Sequence, residues 1–201
     1  TGKWKAYLSY SDVQDVEQGS GNIIYVLASN NIYSYNTADQ SIQTFDKTNG
    51  LSDCNISHIS YNKSAKRLVI IYSNQNIDLM DDNGNVVNIS DYYNSSITSD
   101  KTINDVCQSA GSAYLSTGFG IVKLNVANAE ISDTYNLGFK VDYSYLDSEY
   151  IYAASSVNGI YRALTTSNLL DKNNWKRVAD YAAKPVDNNA SLVDKISKAN
   201  P

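Results

Sequence analysis

The chain has 201 residues, the length of one ordinary domain or at most two small ones, and 42% of them are hydrophobic, enough for a sizeable core. Sixteen basic against twenty-one acidic side chains leave a net charge of −5, which speaks against nucleic-acid binding through phosphate neutralisation. Two cysteines exclude a disulfide-rich scaffold and one histidine excludes a His-rich metal site. The densest apolar run, Leu68–Tyr72, falls far short of the ~20 residues of a membrane helix, so no membrane insertion is expected. Two prolines, seventeen tyrosines and abundant Asn and Ser suit short strands joined by tight turns, not a helical bundle.

In chain order, Trp4-Lys5-Ala6-Tyr7 reads first as a short outer strand. Four similar units follow, each a strand, a hairpin and a second strand. The first has Val13 to Glu17, the hairpin Ile23 to Tyr35, then Ser41 to Phe45. The second has Ile56 to Tyr61, Leu68 to Leu79, and Val86 to Ile89, with Asn83-Gly84 the strongest hairpin signal in the chain. The third has Ile103 to Gln108, Ala113 to Leu124, and Glu130 to Tyr135; the fourth has Val141 to Leu146, Ile151 to Tyr161, and Trp175 to Val178. The isoleucine after each hairpin turn recurs at 32, 77, 121 and 160, at intervals of 45, 44 and 39. That period matches the ~40–50 residues of a four-stranded propeller blade.

Each unit therefore reads as four antiparallel strands, a to d, in blades spanning about 13–45, 56–89, 103–135 and 141–178, with a tail over 179–201. Strands such as Leu68–Tyr72 are apolar on both faces, as a blade sandwiched between two neighbours requires; a β-sandwich strand would alternate. The predicted fold is an all-β propeller of four blades with an extra N-terminal outer strand. Because the fourth unit already has its own strand d, the strand at Trp4 is left unpartnered. This predicts part of a larger propeller, with open blade edges prone to self-association; a small four-bladed ring is the alternative. Ser191 to Ile196 reads as a short helix or the next strand a, and a start at Thr1 is expected for a processed or trimmed chain.

Two layers of family resemblance lie in the turns and hairpins. Asn49-Gly50-Leu51-Ser52-Asp53, followed by Ile56 and Ile59, together with Gly120-Ile121 and Gly159-Ile160, resembles the two-component-regulator propeller repeat. More narrowly, Tyr72 to Leu79, Leu115 to Val122 and Asp133 to Gly138 resemble the N-terminal propeller of the PorZ family, surface components of the Bacteroidetes type IX secretion machinery. The likeness runs from about Trp4 to Trp175 through strand and turn residues rather than a catalytic signature. It implies an exported protein, at the outer-membrane surface or in the periplasm, that assists processing and anchoring of secreted cargo.

The residues able to carry chemistry point away from an enzyme. His58, the sole histidine, reads as a strand residue near the inner channel, without an evident nucleophile for a Ser-His-Asp arrangement. One His and two distant Cys cannot build a closed zinc site, and no other cofactor is expected. Cys54 and Cys107 fall near opposite ends of neighbouring inner strands, about 20 Å apart, beyond the reach of a disulfide; both are expected free, as small core or channel residues. Asp81-Asp82-Asn83-Gly84-Asn85 lacks the glutamate and alternate ligands of a calcium loop and reads as a c–d turn. Asp12, Asp15 and Glu17 have no identifiable counterpart for acid–base work.

Blade topology brings the d–a and b–c connections to one face. The d–a set offers Tyr10, Asp12, Asp53, Asp100, Lys101, Phe139 and Lys140; the b–c set offers Asn30, Asn31, Asn74, Asn76, Phe119 and Asn158. Amides and aromatics together suit a glycan or peptide, though Asn, Asp and Gly are also what tight turns require. Phe119 stands out, since an aromatic at a hairpin tip needs either packing or a partner. The leading expectation is a non-enzymatic interaction or scaffold propeller, with protein partners of a secretion complex or a surface glycan as ligand. The alternatives are the periplasmic, oligosaccharide-binding propeller of a hybrid two-component regulator and, more remotely, a propeller hydrolase or lyase acting through His58 or Asp12.

Overall fold

The computed structural model describes residues 12–184, which form four antiparallel four-stranded sheets in sequence order. The first blade is β1 (Val13–Gln18), β2 (Ile23–Ala28), β3 (Asn31–Asn36) and β4 (Ile42–Phe45). The second is β5 (Ile56–Asn62), β6 (Arg67–Tyr72), β7 (Ile77–Asp81) and β8 (Val86–Ile89). The third is β9 (Ile103–Ser109), β10 (Ser112–Thr117), β11 (Gly120–Asn125) and β12 (Glu130–Asn136). The fourth is β13 (Tyr143–Leu146), β14 (Tyr150–Ser155), β15 (Gly159–Leu164) and β16 (Lys176–Ala179). The expected outer strand at Trp4 to Tyr7 and the segment Ser191 to Ile196 lie outside the described residues.

The strands of each sheet follow the units read in the sequence, with limits that differ by one to three residues, the largest at the fourth hairpin, which runs to Leu164 rather than Tyr161. Strand β13 starts after Val141, whose N–H is already donated to Thr117 of the preceding blade at 2.9 Å. Strand β16 starts after Trp175, because that residue ends a short 3-10 turn, its N–H bound to Lys172 and its indole N–H to Leu169 at 3.0 Å. At the c–d corner of the second blade, Gly84 donates its N–H to Asp81 at 3.0 Å and adopts φ +83, the left-handed backbone glycine allows.

Three apolar joints hold the blades. Tyr25, Leu27, Ile32 and Phe45 of the first blade meet Ile59, Leu68, Ile70 and Met80 of the second. Val69, Ile71, Ile77 and Leu79, from the opposite face of that same sheet, meet Leu115, Val122 and Leu124 of the third. Tyr114, Ile121 and Tyr135 then meet Ile151, Ala153, Ala163 and Trp175 of the fourth. The residues of β6 thus alternate between two cores, which is why Leu68–Tyr72 is apolar throughout. The inner strands β1, β5, β9 and β13 touch in that succession.

No apolar cluster of described residues joins the fourth blade to the first. Val16, Ile24, Val26, Tyr33 and Tyr35 form a separate cluster on the outward face of the first blade, and Tyr143, Ala154 and Ile160 another on that of the fourth. The molecule is a partial propeller with open sheets, not a four-bladed ring.

Polar contacts pin each joint. Tyr25 and Tyr61 donate their hydroxyls to the two oxygens of Asp82, both at 2.7 Å, tying blade one to blade two. The Asn62 amide donates to Gln108 at 2.8 Å and to the carbonyl of Ala110 at 2.9 Å, while Gln108 donates to Ser60 at 3.1 Å. Asn104 donates to the Val141 carbonyl at 3.0 Å.

The tightest backbone approach is at Gly120, where a Cβ would lie 2.0 Å from the carbonyl oxygen of Tyr135 on the neighbouring strand. Gly120→Ala is therefore expected to destabilise the fold by about 3 kcal/mol in urea unfolding, because backbone rather than a flexible side chain would have to move.

Candidate functional site

The loops of one face are bonded to one another across the joints. The Ile56 N–H donates to the carbonyl of Asn30 at 3.0 Å, Ser73 to that of Asn55 at 2.8 Å, and Ile103 to the side-chain oxygen of Gln75 at 2.8 Å. Each d–a connection is thereby fastened to the b–c turn of an adjoining strand pair, and the connections form one continuous surface.

Asp53, Asn74 and Asn76 come together on it. Asn74 donates to Asp53 at 2.5 Å and accepts from the Asn76 N–H at 2.9 Å, while Asn76 accepts from Asn88 at 3.1 Å. The bond from Asn74, with a second from the Cys54 N–H, holds the Asp53 carboxyl below the usual carboxylate range. Asp12 and Asn31 meet at Ser29, whose hydroxyl donates to Asp12 at 3.1 Å and whose carbonyl accepts from Asn31 at 3.0 Å. Tyr10 lies outside the described residues.

The other expected residues are engaged within their own turns. Lys101 folds back on its loop, donating to the carbonyl of Tyr93 at 2.9 Å with its ammonium over the Tyr92 ring. Lys140 pairs with Asp142 at 3.5 Å, and the Asn158 carbonyl accepts from Arg177 at 3.1 Å. Phe119 is not presented to solvent at all: it is 3% exposed and packs in the core between the second and third blades. Its own glycine neighbours turn the hairpin so that the ring points inward, and it leaves the candidate face.

Beneath Asp53 lies a polar knot that the sequence does not advertise. The fully buried Asp78 accepts from the Tyr72 hydroxyl at 2.5 Å, the Ser52 N–H at 2.8 Å and the Asn88 amide at 2.9 Å. Burial first, and the bond to Asp78 second, push the Tyr72 phenol far above its usual range, so the phenol keeps its proton. The knot joins the d–a connection to β6 and β7, the two strands whose connecting turn carries Asn74 and Asn76. It is the physical reason the Asp53 corner is held in place.

The inner strands carry the remaining titratable groups. His58 lies half-buried on β5, its Nδ1 3.0 Å from the Ser57 hydroxyl, with Asp105 of β9 nearby. Burial holds its imidazole below 6.5; Asp105 acts in the opposite direction. Asp105 itself receives Lys184 at 2.9 Å. Cys54 and Cys107 are both free thiols. Cys107 sits in the joint with the fourth blade, where burial pushes its thiol up, but Cys54 is exposed on a connection instead of lying in the core or channel, since its strand begins two residues later at Ile56. The Asp81–Asn85 corner is a turn in which Asp81 accepts from the N–H groups of Asn83 and Asn85, both at 2.9 Å. Among the described residues no group of three His, Cys, Asp or Glu side chains is placed to hold a metal ion, and no helix is long and apolar enough to cross a membrane.

Sequence reasoning about loops passed over the outward face of the last blade. Tyr145, Tyr152, Arg162 and Lys176 stand in one cross-strand row there. The rings of Tyr145 and Tyr152 stack at 4.3 Å with only 6° between planes, and the Arg162 guanidinium sits 3.9 Å over Tyr150. The period-two spacing of Tyr143 with Tyr145, and of Tyr150 with Tyr152, was the available signal.

Radially stacked four-stranded blades with loops knit along one face define a β-propeller domain. The chain belongs to the PorZ N-terminal β-propeller family: the model of the type IX secretion PorZ N-terminal β-propeller domain matches residues 24–176. Among solved structures it resembles PorZ of Porphyromonas gingivalis, a bacterial surface component of the type IX secretion system, at 30% identity and a TM-score of 0.76 over 84% of this chain. The chain spans 22% of the length of that protein. An extracellular domain assigned to a hybrid two-component system of B. thetaiotaomicron gives a TM-score of 0.62 at 17% identity, over 84% of this chain and 22% of that one. The computationally designed Ika4 protein is matched over 99% of its length and 82% of this chain, with a TM-score of 0.60 at 9% identity; both of these likenesses concern the fold alone. No curated protein sequence matches the chain.

Two outcomes are expected. Asp78→Ala strands the Tyr72 hydroxyl, the Ser52 N–H and the Asn88 amide, and should lower stability by about 3 kcal/mol in urea unfolding. His58, a base with a depressed folded value, contributes stability that is present above its unfolded value of 6.5 and falls away as pH drops below it, because the unfolded chain then binds the proton more readily. His58→Asn should flatten the fall in stability below about pH 6.5, measured by thermal melts in matched buffers.

Proposed function

We propose that this chain is an exported, non-enzymatic interaction and scaffold propeller that serves the type IX secretion machinery at the outer-membrane surface, with protein partners of that machinery or a surface glycan as its ligands. The observation that carries this reading is the family match over residues 24–176, joined to 30% identity with a protein described as a surface component of that system. The physics of the loop face supports recognition. Asp53, Asn74 and Asn76 are held in fixed geometry by mutual hydrogen bonds and by the buried Asp78 knot, so a partner would meet a surface already ordered.

A second reading rests on the likeness to the extracellular domains of hybrid two-component systems. In it, the same propeller is the periplasmic sensor of such a regulator and binds oligosaccharides. The two readings differ in what the gene encodes elsewhere and in what its loss does.

Deleting the gene in its source bacterium separates them. Under the secretion reading, cargo carrying the type IX signal accumulates in the periplasm and disappears from the surface, and the full-length gene restores it. Normal surface display of cargo, with a transmembrane segment and kinase motifs encoded downstream of Pro201, would overturn that reading in favour of the sensor.

A further inference from the structure

The face that each of the first three sheets turns toward its successor carries a cross-strand row at the same register, and the three rows differ. In the first blade Tyr25, Ser34 and Gln43 stand in line, and the Tyr25 hydroxyl donates at 2.7 Å to Asp82, one residue past β7. In the second blade the row is Val69, Leu79 and Val87, wholly apolar. In the third it is Tyr114, Lys123 and Asp133, so that a base and an acid line the joint with the fourth blade. The fourth-blade residue corresponding to Asp82 is Thr165, one past β15, and its hydroxyl donates instead to the carbonyl of Glu149 at 3.1 Å. Among the described residues nothing accepts from the Tyr114 hydroxyl.

The space so left is a cleft of about 400 Å³ between the third and fourth blades, within the roughly 300–1,000 Å³ of small-ligand sites. Lys123 and Asp133 are directly opposed across β11 and β12, yet they form no ion pair among the described residues. The ammonium lies over the Tyr114 ring, 5.8 Å from its centre, and the carboxylate lies near Tyr135. Burial, ahead of any charge, pushes both phenols above their usual range, so both hydroxyls keep their protons. The facing wall is apolar: Leu146, Ile151, Leu169 and Leu170, the last 61% exposed at the rim. Its own bonds fix that wall, since Trp175 donates its indole N–H to the Leu169 carbonyl at 3.0 Å and the Asn174 amide donates to that of Asn168 at 2.8 Å. Both walls consist of described residues beside the a–b and c–d connections of the fourth blade. The described strands begin and end toward the other face, where Val13 pairs with Ala28 and Ala179 with Ile160.

We propose that this cleft binds a free α-amino acid with an apolar side chain: Lys123 and the Tyr114 hydroxyl take its carboxylate, Asp133 takes its ammonium, and the leucine wall takes its side chain. Charge selects this class. A half-buried ammonium and carboxylate stand one cross-strand step apart, about 5 Å between Cβ atoms, without pairing with each other. A ligand carrying both signs close together answers both with charge-assisted hydrogen bonds. A neutral polyol leaves both without a counter-charge, and a ligand of one sign satisfies one group while repelling the other. The bonded c–d connection presents its wall already ordered, which keeps the cost of binding small. The cleft lies at the opposite end of the sheets from the Asp53 corner, and it holds under either reading of the whole protein.

Titration of the isotope-labelled whole chain with L-leucine up to about 50 mM, followed in amide NMR spectra, tests this. The expected result is saturable binding with a dissociation constant below about 10 mM, and shifts concentrated at Tyr114, Lys123, Asp133 and Leu169. On the unaltered chain, isocaproate, which lacks the ammonium, and isoamylamine, which lacks the carboxylate, should each bind at least about tenfold more weakly than leucine. Lys123→Met and Asp133→Asn should each weaken leucine binding at least about tenfold, whereas Gln43→Ala, in the corresponding row of the first blade, should leave it unchanged. No saturable binding of leucine, equal binding of either one-charge analogue, or shifts centred on another joint would each overturn the proposal. Maltose binding at the same residues as tightly as leucine would overturn it too, in favour of a polyol site. The analogue comparison needs no variant, so a folding defect in Lys123→Met or Asp133→Asn does not shield the proposal.

Discussion

The structure depends on one constraint: the second and third sheets are apolar on both faces and are satisfied only between two others. Strand β6 states it most plainly, since Leu68 and Ile70 enter one core while Val69 and Ile71 enter the next. A sheet of four strands with four to seven residues each cannot keep either side dry alone. Stacking therefore is the fold, and chain order, period and loop placement follow from it. The polar ties at each joint, such as Asp82 beneath two tyrosines and the Asn62–Gln108 amide pair, set the register in which faces meet. They rank below burial in energy, because a neutral hydrogen bond nets about 1 kcal/mol while a buried aliphatic side chain contributes about twice that.

The same constraint sorts what the sequence discloses. Apolar runs, turn clusters and their period are local properties, so the strand limits were legible to within three residues. Where strand limits moved, a neighbouring blade had claimed a backbone group: Val141 gives its N–H to Thr117. The candidate face was legible only as a list of turn residues. Blade topology brings Asp53, Asn74 and Asn76 to one surface, yet the ordering of that corner involves the buried Asp78 on β7, and a lone Asp between Ile77 and Leu79 looks like an ordinary half-exposed strand residue. Phe119 misled for the opposite reason, because a hairpin tip in a propeller can be folded back into a joint.

The loops take their order from the cores. Loop residues bonded to their neighbours form a surface whose geometry is inherited from the stacking beneath it, so short polar side chains that would be mobile on an isolated hairpin are held in place. On the inner strands, burial disfavours the charged forms of both His58 and Cys107, while the nearby Asp105 raises both.

The ties between blades also shape how the array comes apart. All but one of those described connect neighbours in sequence; the exception is Lys184, which passes over the fourth blade to reach Asp105 on the third. Because its Lys184 end is half exposed, solvent screens that ion pair to about 1 kcal/mol, too little to fuse the array into a single cooperative block. Blades so linked behave like a short one-dimensional lattice, in which each unit is stabilised by its nearest neighbours alone. Heat or mechanical pull would thus open the outer blades of the described array before the β6–β10 region between them.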